Sequence, residues 1–155
     1  MNTIPPRLLT AYAITLKNPW AHLIAHYGKD IENRSWMPWE GVDTLLIHAG
    51  KSWDHQWLRT DGPQPYTSAI VAVADLAFAC NASLHRDAIV CACGPSAQPG
   101  QCHWKLANVR ALAAPVPANG RQGLWRPAPD ILAAVAEQLR ASVSVGGPGD
   151  GQEAT

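Results

Sequence analysis

A chain of 155 residues, 47% hydrophobic and 15% charged, is long enough for one domain with a buried core and too apolar for a disordered segment. Lys and Arg number 12, as do Asp and Glu, so the net charge is zero and any affinity for nucleic acid must come from a local basic patch. No apolar run approaches the roughly 18 residues of a membrane span, and the opening MNTIPPRLLT lacks the apolar stretch of a secretory signal; a cytoplasmic protein with no membrane partner is expected.

Residues 11–16, AYAITL, read as a strand. Asn18 and Pro19 then offer a helix N-cap followed by proline in the first helical position. Trp20, Leu23, Ile24 and Tyr27 recur at i, i+3, i+4 and i+7, the apolar stripe of a short helix that Gly28 closes. A charged strand follows over 30–34, with Ile31 and Asn33 on one face and Asp30, Glu32 and Arg34 on the other. TLLIHAGK predicts a strand at about 44–49, and the Val- and Ile-rich run 67–80 another. Residues 81–102, rich in Gly, Pro, Ser and Cys, read as a loop, 103–112 as a strand, and the Pro- and Gly-punctuated 113–127 as a connection that returns Trp125 to the body. Pro129 and Asp130 open a final helix with Ile131, Leu132, Val135 and Leu139 on one side. The Gly-rich tail is expected to be disordered, giving a single domain over 1–142 and a tail over 143–155. Short β elements with one early and one closing helix predict an α+β fold, a small barrel of about five to six strands with both helices packed on it, and argue against a βαβ parallel sheet.

Cys80, Cys91, Cys93 and Cys102 share one stretch with His85 and His103, a composition that raises zinc. The C-x-x-C knuckle is missing, and without a secretion signal a disulfide framework is not expected. The expected state is free cysteines in a loop, with no metal and no cofactor; those four thiols are the candidates if a metal binds. Seven Trp against one Phe is a skewed choice that suits clefts as well as cores. Trp20 and Trp125 are expected to pack in the core or at its edge, and Lys105 and Arg110 to be solvated.

The stretches NPWAHLIAHYGKDIENRSW, GVDTLLIHAGK and CHWKLANVRALAAPVP with the following GRQGLW resemble the ASCH domain, a member of the PUA-like superfamily of small β-barrels. The resemblance runs from about Ala11 to Pro127. The family motif, a glycine followed by Lys-x-x-Glu-x-Arg, is matched by Lys29, Glu32 and Arg34. One departure is that the family glycine stands two before the lysine, where this chain has Tyr27, with Gly28 adjacent to the lysine.

The resemblance implies a cleft between the early helix and the barrel, floored by the charged strand, that binds RNA or another single-stranded nucleic acid, or a nucleoside or nucleotide. Lys29 and Arg34 suit phosphate, Arg through its planar fork. Glu32 can accept from a base amino group or hold Arg34, and Trp36 and Trp39 offer stacking faces. His48 and Lys51 are expected near the same mouth. A mixed Lys/Glu/Arg site suits one base or nucleotide better than a long phosphate track.

Two other functions stand beside binding. Some ASCH-fold proteins hydrolyse the acetyl amide of acetylated cytidine with a Lys, a Thr and a Glu, and ribonuclease activity is attributed to others. Lys29, Glu32 and His48 are the catalytic candidates here, although Glu32 occupies the place of the hydrolytic threonine. A protein-interaction module is the third reading, carried by Trp53 and Trp57 in SWDHQWL.

Overall fold

The computed structural model describes residues 3–54, 65–81, 91 and 93–144. In chain order these form α1 (Pro6–Leu9), β1 (Tyr12–Asn18), α2 (Trp20–His26), β2 (Ile31–Arg34), β3 (Thr44–Trp53), β4 (Ala69–Asn81), β5 (Cys102–Pro117), β6 (Leu124–Trp125) and α3 (Pro129–Ser144). The fold is α+β. Its mixed six-stranded sheet has the order β2-β5-β4-β3-β1-β6, and no pairing closes it into a barrel among the described residues. No helix among them is long and apolar enough to cross a membrane.

The sheet is covered on both faces, which is why β3 reads as an unbroken apolar run instead of an alternation. Ile14, Leu45 and Ile47 point to the side where Ala21 and Ile24 of α2 pack with Trp104 and Leu106. Ala13 and Leu46, one residue out of phase, meet Leu8 of α1 and Leu132, Val135 and Ala136 of α3 on the other side. Leu8, Ile24 and Val135 are each no more than 2% exposed, so all three helices are anchored by apolar burial.

The sheet also curls strongly. Nη2 of Arg34, on β2, donates to the Thr15 carbonyl of β1 at 3.0 Å, yet β5, β4 and β3 lie between those strands in the ladder. In a flat sheet four spacings of about 4.8 Å would separate them by about 19 Å, far beyond an arginine's reach.

Several local expectations change. The strand continues through Asn18, whose Nδ2 donates to the Gly50 carbonyl at 2.9 Å; it is not a helix cap, and α2 begins after a cis Asn18–Pro19 bond with no side-chain cap. β1 and β3 pair in parallel, Thr15 opposite His48, although every other pairing is antiparallel. β5 runs to Pro117, well past 112, because a bulge between Ala111 and Val116 carries Pro115 out of the ladder, where a missing N–H costs nothing. α1 and the short β6 belong to segments with no periodic signal. α3 extends to Ser144, and 145–155 lie outside the described residues.

Candidate functional site

Parallel pairing brings the carboxyl ends of β1 and β3 to the same side, and a cavity of about 700 Å³ opens there. Thr15 and Lys17 come from β1, His48, Gly50 and Lys51 from β3, Arg34 from the end of β2, and Asn119–Gly123 from the turn before β6. Among the described residues its lining carries four cationic side chains, Lys17, Arg34, Lys51 and Arg121, and no carboxylate. The back wall is rigid. Trp125 donates from Nε1 to Thr15 Oγ1 at 3.1 Å and packs edge-on against the His48 ring. His48 is 1% exposed and its Nε2–H donates to the Ala118 carbonyl at 2.7 Å, which leaves Nδ1 as a buried acceptor with no partner among the described residues. Burial lowers the His48 pKa, only partly offset by the Ala118 contact, so the ring stays neutral. Gly120 is required at the rim: a Cβ there would lie 2.8 Å from both His48 Cε1 and Thr15 Oγ1.

A second cavity, of about 560 Å³, lies against α2. The helical stripe divides here: Ile24 enters the core, while Trp20, Leu23 and Tyr27 form an aromatic and aliphatic wall of the cavity. Gly28, at a φ of 72° that favours glycine, turns the chain so that the Lys29 N–H returns to the Leu23 carbonyl at 3.2 Å. That turn points Lys29 inward. Its Nζ donates to the Ile31 carbonyl, lies 4.0 Å from Glu32 Oε2 and sits 5.4 Å from the Trp20 ring centroid. Asn33 forms the opposite rim, donating to the Ser96 carbonyl at 2.9 Å and accepting from the Gln98 N–H at 2.8 Å.

Glu32 and Arg34, two apart on β2, share a face, and Arg34 Nε lies 2.8 Å from Glu32 Oε1. The contact is an ion pair: the Nε–H is not aligned for a hydrogen bond, and the bond to Thr15 is made by Nη2. One partner lines each cavity, so the pair is the link between them. Burial dominates both neighbouring groups. It raises the Glu32 pKa against the opposing pull of Arg34 and Lys29, and it lowers the Lys29 pKa against Glu32 and Asp30.

The expected site residues are therefore divided. Lys29 and Glu32 line the α2 cavity, and Arg34, Trp36, His48 and Lys51 line the basic one. Trp39 lines neither; it is 54% exposed and stands edge-on to Tyr12. Trp125 is buried and Trp20 packs at the edge of the core, both as expected; Trp20 also lines the α2 cavity and donates to Asp54 Oδ2 at 3.1 Å. Lys105 and Arg110 pair with Asp30 and Asp75. Trp53 ends β3 opposite Asn18, and Trp57 lies outside the described residues. Sequence reasoning missed Thr15, Lys17 and Arg121; the GRQG stretch that holds Arg121 was visible as a turn, but it reaches the cavity through the antiparallel pairing of β6 with β1 and the hydrogen bond between His48 and Ala118.

Away from these residues, the Sγ atoms of Cys80, Cys91 and Cys93 and a ring nitrogen of His103 lie within 4.8 Å of one another. Cys102, a candidate ligand from sequence, is not in this group. Strand alternation turns it to the core with Trp104, where its thiol donates to Asn81 Oδ1 at 3.4 Å, and turns His103 to the cysteines. Hydrogen bonding from Cys93 is the main effect that draws the Cys91 thiol down to about 7.

No family model and no curated protein matches this chain.

Proposed function

We propose that the chain is an ASCH-type, PUA-like domain that binds nucleic acid, RNA in particular, or a nucleotide, with phosphate in the basic cavity. The observation that carries this reading is the lining of that cavity: four cations and no carboxylate among the described residues, in a chain whose net charge is zero. Such a concentration focuses positive potential at one mouth. Arg34, already oriented by Glu32 and Thr15, offers its remaining donors to an anion without first losing side-chain freedom. The Nδ1 of His48, without a partner among the described residues, is an acceptor suited to a ribose hydroxyl or a base N–H. The α2 cavity, with Trp20 and Tyr27 beside Lys29, Glu32 and Asn33, has the mixed apolar and polar character that holds a single base. The curl that lets Arg34 reach Thr15 supports a barrel-like PUA relation.

Hydrolysis of an acetylated nucleoside is less well supported. Lys29 has the lowered pKa that the chemistry needs, but Tyr27 and Ser96 are the hydroxyl side chains described around it, and Thr15 lines the other cavity.

The test is binding of short single-stranded and duplex RNA and DNA at about 50 and about 200 mM salt, with wild type beside Lys29→Ala and Lys51→Ala/Arg121→Ala. Salt-sensitive binding that both variants weaken is the expected result. A folded wild-type protein that binds none of the four would overturn the proposal.

A further inference from the structure

We propose that Cys80, Cys91, Cys93 and His103 form a zinc site that ties the end of β4 to the start of β5 and fixes the wall of the α2 cavity. Four ligand atoms within 4.8 Å of one another are close to the arrangement around a tetrahedral zinc. Zn–S bonds of about 2.3 Å and Zn–N bonds of about 2.0 Å put neighbouring ligand atoms about 3.5 to 3.8 Å apart. Moving these side chains onto that tetrahedron needs shifts of an ångström or less, within reach of χ rotations. Cys91 Sγ and His103 Nδ1, 3.0 Å apart, would open slightly.

The placement is built by the fold rather than by a loop collapsing on itself. Cys80 and His103 are opposite residues in the antiparallel β4–β5 ladder, so two ligands are held on rigid strands. Cys91 and Cys93 come back to them from the connection, and C-x-C spacing lets both thiols face the same point. His103 is also oriented from outside. Its Nε2–H donates to the Gln98 carbonyl at 2.5 Å, which fixes the tautomer and leaves Nδ1, the nitrogen beside Cys91, with its lone pair toward the cluster. Three soft thiolates and one imidazole select zinc over magnesium or calcium, which take oxygen ligands. On binding, the three thiols release their protons to solvent, the imidazole enters neutral, and no electron moves.

The consequence reaches the α2 cavity through hydrogen bonds. Gln98 links His103 to Asn33 through its carbonyl and its N–H, and Ser96 holds Asn33 from the other side. Pro95, Ser96 and Gln98 line that cavity. A metal that fixes Cys93 and His103 therefore fixes the segment between them. The site itself does not depend on what the cavity binds.

The full chain, purified with reduced thiols, is expected to carry one zinc per molecule by elemental analysis. Stripped of metal, it should bind cobalt(II) with the intense visible bands and thiolate charge transfer of a tetrahedral sulfur-rich site. Cys91→Ser/Cys93→Ser should weaken zinc by more than about hundredfold, since even outer partners of a ligand are worth 10- to 100-fold. Cys102→Ser should leave stoichiometry and spectrum unchanged. Hydrogen exchange at 96–98 should slow when zinc is restored to the wild type. A reduced, folded wild-type chain that binds neither metal overturns the site, as does an iron–sulfur chromophore or equal loss in Cys102→Ser. Bound zinc with no added protection at 96–98 overturns its role in the wall.

Discussion

Replacing Arg34 by Met keeps most of the side chain's volume and removes its charge, leaving Glu32 with Lys29 at 4.0 Å as the nearest cation. Removing one partner of a fully buried ion pair costs about 3–5 kcal/mol, because the other charge stays behind. Here the Arg34 side chain is 23% exposed, Glu32 is 11% exposed and Lys29 remains, so about 2–3 kcal/mol is expected at neutral pH. The loss should depend on pH in a defined direction. Burial already raises the Glu32 pKa above its ordinary 4.5. A raised carboxyl pKa means that the folded protein holds the proton to higher pH than the unfolded chain does. Glu32 therefore subtracts stability as pH climbs above 4.5, until both states are ionised. Without Arg34 that pKa rises further and the interval widens. Urea unfolding of wild type and variant should show the full deficit at pH 7.5 and only about 1 kcal/mol at or below pH 4.5, where the hydrogen bond to Thr15 is what remains lost. Arg34→Met/Glu32→Gln should recover most of the deficit at pH 7.5. A deficit of equal size at both pH values, unrelieved by Glu32→Gln, would refute the electrostatic account of β2.

Gly120→Ala forces a Cβ to within 2.8 Å of His48 and Thr15, both held from behind; it should lower stability by about 1–3 kcal/mol in chemical unfolding and weaken any ligand of the basic cavity. Leu8→Ala should cost about 2–5 kcal/mol by the same assay, because Leu8 is fully buried, whereas Val143→Ala, at a position 79% exposed on the last turn of α3, should stay within about 0.5 kcal/mol. Burial depresses the His48 pKa, so the folded protein binds its proton less readily than the unfolded chain, and stability should fall as pH drops below 6.5. His48→Gln should flatten that part of the stability profile.

The elements with a strong period were readable in the sequence: the α2 stripe, the apolar β3 and β4 runs, and α3 beginning at Pro129. What failed to show was whatever depends on contacts distant in sequence. Pro115 and Pro117 looked like punctuation because neither the four-residue bulge that takes Pro115 out of the ladder nor the pairing of Pro117 with Ala69 at the strand's end has a local signature. Asn18 carried the chemistry of a helix cap, but a stronger claim came from the Gly50 carbonyl 32 residues away. The Lys29–Glu32–Arg34 row was visible as charge two and three residues apart; that its members serve two cavities follows from the curl that brings Arg34 to Thr15. For the same reason Lys17 and Arg121 carried no signal, since neither lies near the motif in sequence. Cys102 stood among the four candidate thiols, and the alternation of β5 turns it to the core and brings His103 to the other three instead.

The central claim is that the basic cavity receives phosphate. Its most direct test is the salt dependence of single-stranded RNA affinity for wild type and Lys51→Ala/Arg121→Ala, since both side chains are exposed and their loss should leave the fold intact. Each phosphate neutralised on a single strand contributes a slope of about 0.7 in log K against log salt, so losing two contacts should flatten the slope by about 1.4 and weaken binding at low salt. Binding with an unchanged slope in the variant would place the phosphates elsewhere and contradict the account.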